Sequence, residues 1–122
     1  MTKNQQEQEQ SPDNVLADKI KDFGGLLNSI KNLDEKKQHL WMEIYENAIN
    51  DRQHSYAMFM KLVGIVGDKS SEHAVHGKTM SSYIERMSKA NDQLIRLADL
   101  IAQAEEKNDA MDVDDVFSKI RQ

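Results

Sequence analysis

Three neighbouring residues of this chain, Glu72, His73 and His76, have side chains that can bind a divalent metal ion. Their spacing would place carboxylate and imidazole groups on one face of a helix. No further strong ligand lies nearby in the sequence, and histidines close to the start of a helix are commonly exposed or involved in capping. We therefore predict no metal here; a metal-dependent enzyme that uses these residues is the alternative, and it predicts stoichiometric metal in the purified protein.

A second stretch with the outline of a binding site is Gly77-Lys78-Thr79, which matches the end of a phosphate-binding loop. That loop needs a glycine five residues earlier, where this chain has Glu72, and it follows a β-strand. The acidic residues from Asp109 to Asp115 lack the central glycine and the closing glutamate of a calcium loop. No serine lies in a nucleophile motif with a suitably placed base. The sequence therefore predicts a protein without catalytic residues, cofactor or small-molecule substrate.

Most of these residues belong to one of two long stretches with the apolar spacing of a helix. Apolar residues recur every three or four positions between 41 and 66, and again between 80 and 101. Residues 67–71 supply a glycine-bearing turn between the two stretches. Each stretch has about 33 residues, which at 1.5 Å per residue gives a helix roughly 50 Å long. We predict an all-α fold built on a long antiparallel helical hairpin, a coiled coil, over residues 34–107.

The N-terminal third has a shorter and weaker pattern. Residues 1–12 contain nothing that could form a core, and they predict a disordered tail. Helical spacing then begins and is interrupted at Gly24 and Gly25. This pattern predicts one or two short helices, over residues 13–23 and 26–32.

Several residues mark the predicted ends of the helices. Asp34 is the expected N-cap of the first long helix, with Leu33 packing back onto its start. Ser70 or Ser71 is the expected cap of the second long helix. Around residues 107–109 the apolar periodicity lapses, which predicts the end of the second helix.

Composition limits the classes of function. The chain has 122 residues with one proline, no cysteine and a net charge of −5, which argues against a surface that grips nucleic acid throughout. Its apolar runs are too short for a transmembrane helix or a signal peptide, so we expect no membrane partner. Apolar residues on more than one face of the helices, including Leu62, Leu97 and Leu100, predict contacts with other subunits.

Two polar residues, Arg52 and Asn91, interrupt the apolar pattern near the middle of the two long helices. Residues of this kind either are buried and fix the register and the oligomeric state, or rotate to the rim, and the sequence leaves both open. Together with the apolar residues they form the predicted oligomerisation seam: Trp41, Ile44, Ala48, Ile49, Arg52, Phe59, Met87, Asn91, Leu94, Leu97 and Ile101.

Residues 108–122 form an acidic linker followed by an amphipathic segment. Its apolar residues fall at i, i+3, i+4 and i+7, namely Val113, Val116, Phe117 and Ile120. Acidic residues at the start of such a segment favour a helix, but one this short is not stable alone. We expect it either to dock on a partner or to pack back on its own hairpin.

Residues 76–97 read His-Gly-Lys-Thr-Met-Ser-Ser-Tyr-Ile-Glu-Arg-Met-Ser-Lys-Ala-Asn-Asp-Gln-Leu-Ile-Arg-Leu. Met87 and Asn91, followed by an aliphatic pair, a basic residue and Leu97, make a pattern similar to that of a known family. The chain resembles the small terminase subunits of T4-like tailed bacteriophages over about residues 34–120, whereas its N-terminal third matches poorly.

The resemblance implies a non-enzymatic DNA-packaging subunit that works in the host cytoplasm during infection. Such a subunit forms a homo-oligomeric ring of helical hairpins, engages viral double-stranded DNA, stimulates the ATPase of the large terminase subunit and restrains its nuclease. The resemblance also names the large terminase as the partner of the C-terminal amphipathic segment. The alternative is a cytosolic helical adaptor or chaperone that oligomerises and binds a partner peptide, with no role in DNA.

Contact with DNA, if the chain makes one, is assigned to the region 13–33 and the start of the hairpin. The hairpin does not need the basic residues there, and repetition around a ring would raise the avidity of a weak site. These lysines also have acidic neighbours and could be ordinary solvated residues. The candidates are Lys19, Lys21, Lys31, Lys36 and Lys37.

Overall fold

The computed structural model of the chain describes the backbone of residues 12–120 and the side chains of residues 13–108 and 120; over that range the regular structure is all-helical. Helix α1 spans Pro12–Asn28, α2 spans Glu35–Val66 and α3 spans Ser70–Ile120. The long helices α2 and α3 pack together as a hairpin, and α1 packs against α2. The predicted all-α class is confirmed. The tail predicted for residues 1–12 lies, except for Pro12, outside the described part of the chain.

The turns that set the hairpin use the residues expected from the sequence, with one exception. Asp34 is the N-cap of α2, since its carboxylate accepts a hydrogen bond of 3.1 Å from the backbone N–H of Lys36. Gly67 ends α2 with a φ of 50° and donates its N–H to the Val63 carbonyl. Ser70 already lies inside α3, and the carbonyl of Lys69 accepts the first helical hydrogen bonds. The predicted cap at Ser70 or Ser71 was therefore wrong by one residue.

Helix α1 is continuous through Gly24 and Gly25, so of the one or two short helices predicted for this region the structure has one. Two glycines in a helix cost roughly 1 kcal/mol each relative to alanine. This cost is offset by the buried side chains of Phe23 and Leu27, which flank the glycines and anchor both halves of α1 to the same core. Tertiary packing thus overrides the local preference of the pair.

Helix α3 is also longer than predicted. It continues without a break from Ser70 to Ile120, so the lapse in apolar spacing at residues 107–109 does not end it. From Lys78 onward the chain contains no glycine and no proline, and nothing there interrupts the backbone hydrogen bonds of a helix. At 1.5 Å per residue, α3 is about 77 Å long and α2 about 48 Å.

The core lies where α1 crosses the base of the hairpin, at the end away from the turn. Residues of all three helices and of the loop after α1 are buried together there: Phe23, Leu27, Ile30, Trp41, Leu97 and Ile101. Leu33 packs against this cluster, as expected of the residue before the cap. The loop is fixed at both sides, since Gln38 donates to the Leu27 carbonyl and Asn108 donates to the Lys31 carbonyl.

Helix α1 runs antiparallel to α2 along one side of the hairpin. Gln38 near the start of α2 reaches the end of α1 at Leu27, with an N–O distance of 3.0 Å. Further along α2, the ring of Tyr45 stacks on Phe23 with centroids 4.1 Å apart and an angle of 7° between the rings. These two contacts define the register between the helices.

Candidate interaction surfaces

The residues with the clearest metal-binding chemistry lie in the first two turns of α3. Glu72 and His76 make an i, i+4 pair on α3 with an N–O distance of 3.2 Å, and His73 is exposed. No group of three or more histidine, cysteine or acidic residues in the described part of the chain is arranged to hold a metal ion. Gly77 and Lys78 lie within α3, where the backbone is helical and cannot form a phosphate-binding loop. The acidic residues from Asp109 to Asp115 have side chains outside the described range.

Arg52 and Asn91 meet across the hairpin. The guanidinium of Arg52 donates to the side-chain oxygen of Asn91 at 3.0 Å, joining the middle of α2 to the middle of α3. Arg52 is half-buried and Asn91 is exposed, so the pair lies at the rim of the seam rather than inside it. Each of the two alternatives is thus correct in part. Both side chains lie at the rim, and their hydrogen bond still connects α2 and α3 in one register.

The other residues of the predicted seam pack within the single chain. Trp41, Ala48 and Ile49 of α2 and Leu97 and Ile101 of α3 are buried. The rest are half-buried: Ile44, Phe59, Met87 and Leu94. Leu97 is only 3% exposed because α1 covers it, so the expectation that it needs another subunit was wrong. Whether copies of the chain contact each other through this seam stays a prediction.

Tyr45 of α2 is half-buried, and its hydroxyl is a titratable group. Burial raises the pKa of Tyr45 above its ordinary value of 10.0. The positive charge of Arg52 partly opposes this increase in pKa, and the negative charge of Asp22 on α1 adds to it. Tyr45 thus stacks on Phe23 of α1 and also lies within reach of the charge of Arg52, one of the two rim residues in the middle of the hairpin.

The five candidate DNA-binding lysines are all exposed, but they do not form one cluster. Lys19 and Lys21 lie on α1, Lys31 lies in the loop after it, and Lys36 and Lys37 lie in the first turn of α2. Lys31, Lys36 and Lys37 lie at the base of the hairpin, whereas Lys19 and Lys21 lie farther along it on α1.

Two of these lysines line an open cleft of about 630 Å³ at the base of the hairpin. Sequence reasoning missed this cleft and its third lysine, Lys107, because the loop and α3 meet only in the fold. Asp34 and Glu106 also line it, so its net charge is only about +1 by simple counting of ionised side chains. The apolar part of the lining is Ile30, Leu33, Trp41, Leu100 and Ala104.

Large apolar side chains are exposed on α2 toward the turn of the hairpin. Tyr56 is 50% exposed, Met60 46% and Val63 38%. Ile84 of α3, which is 51% exposed, lies two helical turns before Asn91 and so on the same face of α3. We refer to Tyr56, Met60, Val63 and Ile84 as the tip patch. Of the C-terminal amphipathic residues, Ile120 is exposed, and Val113, Val116 and Phe117 lie outside the described side chains.

No helix in the described range is long and apolar enough to cross a membrane. Comparison of the chain with family models, with curated proteins and with solved structures finds no match.

Proposed function

We propose that this chain is a non-catalytic assembly subunit, and that it serves as the small terminase subunit of a phage DNA-packaging motor. The observation that carries the assembly part is the tip patch, a set of large apolar side chains that stay exposed within residues 12–120, the part of the chain that the structure describes. The motor part rests on the resemblance of residues 76–97 to that family.

Further exposed apolar side chains on the long helices support assembly. Beside the tip patch, Ile65 is 58% exposed, Ile95 62% and Leu100 38%. An open hairpin with a short third helix leaves this surface available to other subunits, and a ring gives each copy two neighbours to cover it.

Within this proposal the parts of the chain have separate roles. The hairpin carries the contacts between subunits, in a closed ring of more than four copies. The lysines at the base make weak contacts with viral double-stranded DNA, strengthened by repetition around the ring. Residues 108–122 contact the large terminase subunit, stimulating its ATPase and modulating its nuclease, in the host cytoplasm during infection.

Native mass spectrometry gives the subunit number, and we expect more than four copies. The ATPase rate of the large terminase subunit is then measured with the full chain and with a chain lacking residues 111–122. This deletion removes only the part of α3 beyond Asn108, which ties α3 to the loop at the base of the hairpin. We expect the truncated protein to keep its oligomer and to lose the stimulation.

Contact with DNA is tested by substitution, because deletion of α1 would uncover Leu97 and Ile101 of the core. Replacing Lys31, Lys36 and Lys37 by glutamine should weaken DNA retention. It should also lower the salt dependence of binding by up to about 0.9 log unit per lost phosphate contact. The matched control replaces three lysines away from the base, Lys61, Lys69 and Lys78.

Each result has a clear reading. A monomeric wild-type protein would end the assembly proposal, and equal losses in the two lysine variants would end the assignment of DNA contact to the base. An oligomer that neither retains DNA nor alters the ATPase would favour the adaptor that binds a partner peptide.

A further inference from the structure

The tip patch continues a face of α2 that α1 already covers farther down the hairpin. Tyr45, Ile49, Tyr56, Met60 and Val63 follow one another at intervals of four, seven, four and three residues, so they lie along one stripe of the helix. In the first half of this stripe, Tyr45 is stacked on Phe23 of α1 and Ile49 is buried. In the second half, all three side chains are more than one-third exposed.

The stripe changes from covered to exposed near the N-terminal end of α1, at Pro12. Phe23 lies opposite Tyr45, and α1 extends about eleven residues from Phe23 back to Pro12, antiparallel to α2. Because both helices rise 1.5 Å per residue, Pro12 is about level with the residue eleven positions after Tyr45, which is Tyr56. One apolar groove therefore runs along the hairpin, and the first helix fills only the half nearer the base.

The open half carries no acidic side chain at its neighbouring positions. Arg52, one turn before Tyr56, is the charged residue beside it, and its guanidinium is bound to Asn91. The other neighbours are Gln53, Ala57 and Gly64 on α2 and Gly77, Ser81 and Ser88 on α3, which are uncharged. Because the chain as a whole has a net charge of −5, two copies meet with least repulsion through a surface without acidic groups. The glycines and serines among these neighbours also allow another helix to approach closely.

We infer that a second copy of this chain lays a helix into the open half of the groove, over Tyr56, Met60, Val63 and Ile84. This inference rests on the proposed assembly and names the surface that carries it. Residues 2–11 offer no apolar side chain for the patch, since they are threonine, lysine, asparagine, glutamine, glutamate and serine only. A helix of another subunit over the patch would repeat the contact that α1 makes with Tyr45 on the same stripe.

The first test compares Met60→Lys with Ile65→Lys by sedimentation velocity over a range of protein concentrations. Ile65 is a matched control because it lies on α2 near the same end, faces away from the stripe and is 58% exposed. Both lysines replace exposed side chains, so circular dichroism should show unchanged helix content. We expect association of Met60→Lys to weaken at least about thirty-fold, as for a residue at the centre of an interface, and that of Ile65→Lys to stay within about three-fold of wild type.

Wild-type association of Met60→Lys would overturn the inference while leaving the proposed assembly in place. Equal loss in both variants would also overturn it, because the effect would not be specific to the tip patch. A wild-type protein that stays monomeric at every concentration would overturn the proposed assembly itself.

The second test uses the absence of cysteine from the chain. The single thiol of Met60→Cys is labelled with a maleimide reagent, and the rate is measured as protein concentration rises. We expect protection that grows with concentration and follows the formation of the oligomer. Protection that is independent of concentration would mean that the same chain covers the groove, and a rate that never falls would mean that nothing covers it; either result overturns the inference.

Discussion

Replacing Gly25 by alanine should stabilise the protein, because α1 is one continuous helix. A β-carbon built at Gly25 meets no atom within 4 Å. The backbone at Gly25 is helical, and α1 continues on both sides of it. Alanine in such a position restricts the conformations of the unfolded chain more than glycine does, and it adds no strain to the folded chain. If the chain instead turned at the glycine pair, alanine would strain the turn and the substitution would destabilise the protein.

The expected gain is about 0.5–1 kcal/mol for Gly25→Ala, the usual difference between the two residues within a helix. Gly24→Ala should contribute a similar amount, since its β-carbon would lie 3.6 Å from the terminal methyl of Met42, an ordinary van der Waals distance. The double variant should therefore gain about 1–2 kcal/mol, or a rise in melting temperature of about 4 °C for each kcal/mol in a chain of 122 residues.

Urea unfolding followed by circular dichroism measures the change in the free energy of unfolding. All variants are compared at one protein concentration, since association would add to stability by mass action. Gly64→Ala is the control for a helix interior, because a β-carbon there also meets nothing within 4 Å. Gly67→Ala is the opposite control. Its φ of 50° is strained for alanine, and it should lose about 1–3 kcal/mol. A destabilised Gly25→Ala together with a stabilised Gly64→Ala would refute a continuous α1.

Two other properties follow from the middle of the hairpin. In a double-mutant cycle of Arg52→Ala and Asn91→Ala, the free energy of unfolding should show a coupling of about 0.5–1 kcal/mol, the range for a hydrogen bond at a solvated rim; a coupling of zero would contradict the contact. Because the pKa of Tyr45 is raised in the folded state, the unfolded chain loses this proton first, so the free energy of unfolding should fall as pH rises through 10 and beyond. Tyr45→Phe should lack this part of the alkaline loss, and an identical decline in both proteins would contradict the burial of the hydroxyl.

The helices could be predicted from the sequence where the apolar periodicity extends over many residues. The end of a helix could be predicted where a specific side chain caps it. Asp34 was identifiable because its carboxylate can bond to a nearby N–H, which is a local interaction. The sequence left open whether α1 is one helix or two, because its continuity depends on Phe23 and Leu27 meeting Leu97 and Ile101, seventy or more residues away. Whether glycines such as Gly24 and Gly25 break a helix can be judged only when such distant partners are known.

The candidate surfaces were less predictable than the fold. Arg52 and Asn91 were identifiable as exceptions to an apolar pattern, but their mutual hydrogen bond depends on the register of the hairpin. The lysine-lined cleft was missed because Lys31, Lys37 and Lys107 come together only when the loop after α1 meets α3. Exposure of the tip patch depends on where α1 stops along α2, and a sequence pattern contains no information on that alignment.

Helix α2 has two apolar faces, and they serve different partners. The seam against α3 consists of Trp41, Ala48, Ser55 and Val66, which are spaced by seven, seven and eleven residues and are all buried. Toward the middle these residues are small, so the hairpin helices can approach closely there. Among the larger side chains that follow along α2, Tyr56 and Met60 are not used in this seam. They lie on a second stripe of α2, the one that α1 covers nearer the base. On this stripe Tyr56 and Met60 gain no burial from α3.

The sequence presents both faces as one run of apolar residues at intervals of three and four, which is why the pattern alone suggests a wider seam than the hairpin uses. A single neighbouring helix can bury only one stripe of α2. The second stripe therefore needs a third helix along its whole length, and α1, at 17 residues against the 32 of α2, is too short to supply it. This mismatch in length is the physical reason to expect that a helix from another subunit completes the bundle toward the turn.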